Sequence, residues 1–187
     1  MLRPTRLLSL VLLGLGSSAR PASHADERTC AQATTRLLGS LVGDYEVLVQ
    51  FRSGPNSWDS SAARSRFGYE LGGCLLTEHF QGHRYGEPYD YVALFGTAGP
   101  EGGRVQRVFV HSQHGLLSLA SGGWNQAGDS LGFEDSALVR GTWIRQRYLL
   151  VRSANDELST EGRRSEDGGR TWFSTMQAHY TRVAGAP

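Results

Sequence analysis

From Gly43 onward the apolar residues of this chain recur at every second position. A chain patterned this way buries its apolar side as a sheet, whose strands show alternate residues to core and solvent. Tyr45, Val47, Val49 and Phe51 alternate with Glu46, Gln50 and Arg52, and Leu48 alone breaks the rule. In the next run Phe67, Tyr69 and Leu71 share one face, and Arg64, Arg66 and Glu70 the other. Leu71-Gly72-Gly73 then turns or bulges the chain. Further runs follow at 74–82, 88–97, 104–111, 116–121, 129–138 and 142–152. Gly86-Glu87-Pro88, Gly99-Pro100-Glu101-Gly102-Gly103, Asn125 to Asp129 and Asn155-Asp156 supply the turns between them.

The chain closes on Leu158 to Arg164 and Thr171 to Val183, joined by Ser165-Glu166-Asp167-Gly168-Gly169-Arg170. Asp followed by two glycines predicts a tight turn with positive φ, hence a final hairpin. The segment Ser165 to Trp172 also resembles the S-x-D-x-G-x-x-W "Asp-box" found on hairpins of sialidases and other β-proteins. One copy marks a hairpin; a propeller repeats it.

About ten short strands, no crossover helices and 24 glycines predict an all-β, antiparallel domain. Neighbour-to-neighbour connections favour a single up-and-down barrel over a sandwich, and a barrel of this size can hold one small ligand. One helix is expected, at residues 26–40, where Cys30, Ala33, Leu37 and Leu41 fall three and four apart and Gly39 supplies a stop.

The first residues read as a secretory signal peptide at 1–25: Arg3 and Arg6, an apolar run from Leu7 to Gly16, then small residues up to Ala25. The run is too short to span a bilayer, so no stable membrane insertion is expected. Residues 26–187 form the barrel domain, placed in the periplasm or outside the cell. In an oxidising compartment Cys30 and Cys74 can pair, although spacing alone leaves two buried thiols equally open. The 19 basic residues are all arginine. Three of them precede the cleavage point, and the rest form no basic face, which argues against a nucleic-acid partner.

Four features occur in order: Gly43-Asp44-Tyr45, Leu71-Gly72-Gly73, Gly86-Glu87-Pro88-Tyr89, and the final hairpin followed by Tyr180-Thr181-Arg182. The first resembles the Gly-x-Trp opening of lipocalin-type barrels, with Tyr in place of Trp. Together they are similar to a bacterial family of calycin-like barrels known as a domain of unknown function, over about residues 40–183. That family's tryptophan-rich middle is replaced here by Phe109-Val110-His111-Ser112. The resemblance implies a calycin-like fold and brings no activity with it.

Metal, haem and nucleophilic chemistry find little support. On a strand, His79 and His83 stand about 13 Å apart, too far to share an ion. His111 and His114 point to opposite faces unless a turn intervenes. Haem-binding barrels of ten strands place a histidine on a late strand, as His179 is placed, but His179 shares its face with Thr175, Gln177 and Thr181. No Gly-x-Ser-x-Gly elbow or phosphate-cradling loop occurs. No catalytic residue, metal site or cofactor is therefore expected.

What remains are polar residues on faces shared with apolar ones. Glu78 alternates with Cys74, Leu76 and Phe80, and needs a partner if buried. Arg145 and Arg147 share a face with Trp143 and Leu149 and offer that partner. Tyr69, Tyr91 and Tyr180 are suited to a pocket wall. The expectation is an exported barrel that binds a small, partly apolar ligand through Tyr69, Glu78, Tyr91, Trp143, Arg145, Arg147 and Tyr180. An enzyme with Glu78 as general base, or a structural or assembly factor of the cell envelope, stays open beside it.

Overall fold

The computed structural model describes residues 24–97, 104–113, 117–139, 141–153 and 157–184, and within them ten strands close into one antiparallel barrel. The strands are β1 (Gly43–Arg52), β2 (Trp58–Glu70), β3 (Leu75–Arg84), β4 (Glu87–Thr97) and β5 (Val105–His111). They continue as β6 (Ser118–Trp124), β7 (Ser130–Val139), β8 (Thr142–Arg152), β9 (Leu158–Ser165) and β10 (Phe173–Arg182). Each pairs with its neighbours in the chain, and β10 returns to β1 with Val47 opposite Tyr180 and Val49 opposite Ala178. One helix, α1 (His24–Leu38), precedes the barrel. Residues 1–23 of the expected signal peptide, the turns at Gly99 to Gly103 and Asn155-Asp156, and His114 lie outside the described residues.

Alternation decides which side of each strand is core. Tyr45, Val47, Val49 and Phe51 on β1 are buried, whereas Leu48, the exception to the pattern, stands outside and is 55% exposed. The interior is filled from every side by large side chains, among them Phe67, Phe80, Phe95, Leu131, Leu150 and Tyr180. Tyr45 meets Phe67 and Tyr180 edge to face, with ring centroids 5.7 and 6.0 Å apart.

The helix closes the end of the barrel at which β1 begins and β10 finishes. Its last turn buries Leu38, and the short 3-10 turn after it buries Leu41. Trp124 Nε1 donates to the Leu37 carbonyl at 2.8 Å, and the Tyr45 hydroxyl to that of Leu41 at 2.9 Å. Arg182 donates to the Ser40 carbonyl at 3.0 Å and also to that of Val42. These bonds satisfy carbonyls that a helix end leaves without partners. A disulfide joins Cys30 on α1 to Cys74 before β3, their Cα atoms 5.0 Å apart, and Thr34 Oγ1 donates to the Cys74 carbonyl at 2.9 Å.

Two hairpins show how local sequence sets register. Between β3 and β4, Tyr85 and Gly86 both have positive φ (56° and 78°), the two-residue turn whose twist matches the strands. Tyr85 tolerates that conformation because its N–H donates to Asp59 Oδ2 and its hydroxyl to the Arg52 carbonyl, each at 2.6 Å. In the final hairpin Gly168 and Gly169 have φ of 76° and 96°. Asp167 accepts from the Thr171 hydroxyl and from the N–H groups of Thr171 and Arg170, bonds that hold its carboxyl well below the usual range.

Candidate functional site

The polar centre of the barrel is Glu78, on β3 between Thr77 and His79, with no exposed surface at all. The register places Phe67 of β2 on one side of it and Ala93 of β4 on the other. Its Oε1 accepts from the hydroxyls of Tyr91 at 2.6 Å, Ser65 at 3.0 Å and Tyr180 at 3.1 Å. The Tyr91 and Tyr180 hydroxyls are themselves 3.2 Å apart. Its other oxygen, Oε2, is buried and has no hydrogen-bond partner among the described residues. Burial pushes the Glu78 carboxyl up; the hydroxyl bonds from Tyr91, Ser65 and Tyr180 and the charge of Arg107 oppose that without cancelling it.

The arginine that faces Glu78 is Arg107, on β5, which the alternation of Val105, Arg107 and Phe109 turns inward. Its guanidinium carbon lies 4.3 Å from the Tyr148 ring centroid, 4.5 Å from Phe109 and 5.9 Å from Phe95. Cation–π contact of this kind holds the head among rings yet supplies no hydrogen-bond acceptor. The Arg107 Nε is buried without one. Tyr148 also points inward, its hydroxyl near Thr160 and Tyr180 but forming no bond of ordinary geometry. Burial, before the nearby charges, pushes the Tyr89 hydroxyl up to about 12 and lifts Tyr91, Tyr148 and Tyr180 as well.

Four of the residues expected beside Glu78 stand elsewhere. Arg145 and Arg147 are on the outer face of β8, where both pair with Glu134 of β7, Arg147 Nε at 3.0 Å from its Oε2. Trp143 is 65% exposed on the same face. The inward face of β8 carries Ile144, Tyr148 and Leu150 instead. Both faces of this strand mix apolar and polar residues, so alternation alone chose the wrong one. Tyr69 has the parity of Phe67 but sits at the end of β2, 38% exposed, with its hydroxyl beside Gly39 of the helical cap.

Glu78, Tyr91 and Tyr180 are brought together; Arg107, Tyr148 and Ser65 complete the group without having been singled out from sequence. The signal for Arg107 was present, since it alternates with Val105 and Phe109.

His79, His83 and His179 stay outside the cluster, and His111 borders it. His79 and His83 are exposed, His179 lies outside near Glu157 at 3.7 Å, and His111 packs against Tyr89 and Phe109. Among the described residues no three His, Cys, Asp or Glu converge as a metal site, and no described helix is long and apolar enough to cross a membrane. Two shallow depressions on the outer wall, one across β1, β10, β9 and β8 and the other across β6 to β9, are walled partly by Leu149, Glu161 and Arg163 and do not include Glu78.

A closed, ten-stranded, up-and-down barrel capped by one helix, with a polar cluster inside, is a calycin-like barrel. Solved structures share it. Rv2717c from M. tuberculosis superposes with a TM-score of 0.59 at 19% identity, over 80% of this chain and 97% of that one. The S-type phycobiliprotein lyase CPES from Guillardia theta superposes with a TM-score of 0.52 at 8% identity, over 84% and 97%. At these identities the likeness is one of fold alone. No protein-family model matches the chain and no curated protein does, so the resemblance to a particular bacterial family rests on its four motifs.

Proposed function

We propose that this protein binds a small, partly apolar molecule inside the barrel, with Glu78, Tyr91 and Tyr180 fixing its polar end. The observation that carries the reading is the Glu78 Oε2 atom, fully buried on the inner wall and without a partner, while three hydroxyls converge on the other oxygen. Leaving a buried polar atom unmet costs about 1–3 kcal/mol, a cost that a bound molecule meeting that atom removes. The rings of Phe80 and Tyr91, stacked at 4.5 Å, supply apolar wall beside it. One protein of the same fold, CPES, is a phycobiliprotein lyase, so the architecture is compatible with work on another molecule.

We also propose that the protein is exported. The basic and apolar start of the chain and the pairing of its two cysteines both support that reading. Fractionation of the host with N-terminal sequencing tests it; a cytosolic protein that keeps Met1 sinks it.

Native mass spectrometry on the full chain purified from its host tests the binding reading. A discrete mass above that of the polypeptide is expected, lost in Glu78→Gln with Tyr91→Phe. A bare polypeptide that also takes up none of the six probes named below removes it.

A further inference from the structure

Three atoms of the interior cluster lack partners among the described residues: Glu78 Oε2, Arg107 Nε and the Tyr148 hydroxyl. Their chemistry is one-sided. A guanidinium only donates, and a tyrosine hydroxyl that donates to nothing has its proton to give. With three hydroxyls directed at Glu78 Oε1, the proton of the acid form belongs on Oε2, which makes that atom a donor too. Burial of Glu78 favours the acid form. The titratable and charged groups around it are Tyr89, Tyr91, Arg107, Tyr148 and Tyr180, with Arg84 and His111 farther out against Tyr89; Arg107 is the fixed charge that acts on Glu78 itself. No carboxylate among the described residues pairs with Arg107, although 7% exposure would ordinarily demand one.

We infer that the molecule held in the barrel is a small monocarboxylic acid, its carboxylate against the edge of Arg107 and its apolar body among the surrounding rings. This rests on the binding reading above and names the class of ligand. A carboxylate offers two oxygens to the fork of a guanidinium and keeps lone pairs for the Glu78 and Tyr148 protons. Arg107 is the cation that acts on Glu78, and its single charge beside that carboxyl matches one negative charge better than a phosphate dianion. Arg107 stands opposite Phe95 on β4 and Ala120 on β6, and Phe109 and Phe133 wall the same region. These surroundings suit a short aliphatic or aromatic body.

Isothermal titration calorimetry on the full-length protein tests the inference, with benzoate, 2-naphthoate and octanoate against their primary amides. The amides keep size and shape and lose the charge. At least one acid should bind about tenfold or more tighter than its amide, the difference expected of a charge-assisted bond. Arg107→Leu should abolish that difference while leaving the weak affinity for the amide. Should Arg107→Leu fail to fold, Arg107→Lys, which keeps charge and loses the planar fork, should narrow it. Arg147→Ala, on the outer face, should leave it unchanged. Acids and amides that bind alike overturn the acid head group and leave barrel binding intact. Six probes that all fail to bind, with nothing retained from the host, remove both.

Discussion

The Arg147 guanidinium lies 4.1 Å from the centroid of the Trp172 ring, so β8 and the final hairpin are joined on the outside of the barrel. Glu134 stands beside it and takes the Arg147 Nε at 3.0 Å, while Trp172 Nε1 donates to the Gly169 carbonyl at 3.0 Å. Both Arg147 and Glu134 are partly solvated, with side chains 50% and 35% exposed. Arg147→Ala should therefore lower stability by less than about 1 kcal/mol in urea denaturation. A loss of several kcal/mol would mean that Arg147 is buried.

The buried carboxyl gives stability a pH dependence of definite sign. Glu78 has a folded-state pKa raised above the ordinary value of 4.5. A group of this kind contributes stability that is fully present below its unfolded pKa and is lost as pH rises through the folded one. Thermal melts of ligand-free protein from about pH 4.5 upward should show wild type losing ground to Glu78→Gln, by at most about 1.4 kcal/mol per pH unit. Gln keeps a carbonyl for the three hydroxyls, so the variant should fold. A difference between the two proteins that stays constant with pH would place the titration of Glu78 outside that range.

The disulfide fastens the helix that seals one end. Thiol titration of the denatured, unreduced protein should find no reactive cysteine. Cys30→Ser with Cys74→Ser should cost about 4 kcal/mol, the chain-entropy figure for a loop of this length. Two thiols per chain would disprove the pairing.

Leu38 and Leu48 separate core from wall. Leu38, with no exposed surface under the helix, should cost about 2–5 kcal/mol when changed to Ala. Leu48→Ala, at a site 55% exposed, should cost under about 1 kcal/mol. Equal effects in chemical denaturation would mean that the helix is not seated on the barrel.

Most of the fold could be read from period-two alternation because nearly every strand has one clean apolar face. Tyr45 to Phe51 and Leu76 to Phe80 each identify their inner side, and Glu78 follows from that parity. On β8 the argument lost its footing. Trp143 and Leu149 flank Arg145 and Arg147 on one face, and Ile144, Tyr148 and Leu150 flank Gln146 on the other, so local pattern could not rank them. What decides is Glu134, a strand away, which neutralises both arginines outside. For Arg107 the inward parity with Val105 and Phe109 was legible, but its surroundings were not: its rings come from β4, β5 and β8, and no stretch of sequence holds them together.

The seam between β1 and β10 also bears on how the protein is made. The first strand of the barrel meets the tenth, with Tyr45 opposite Arg182 and Phe51 opposite Met176, so closure waits on the synthesis of β10. Until then β1 and β9 each present a row of unpaired backbone groups to any other chain nearby. A nascent chain arrested before Phe173 carries nine strands and two open flanks, and no amount of internal packing removes them. Adding β10 is thus the step that removes both open flanks.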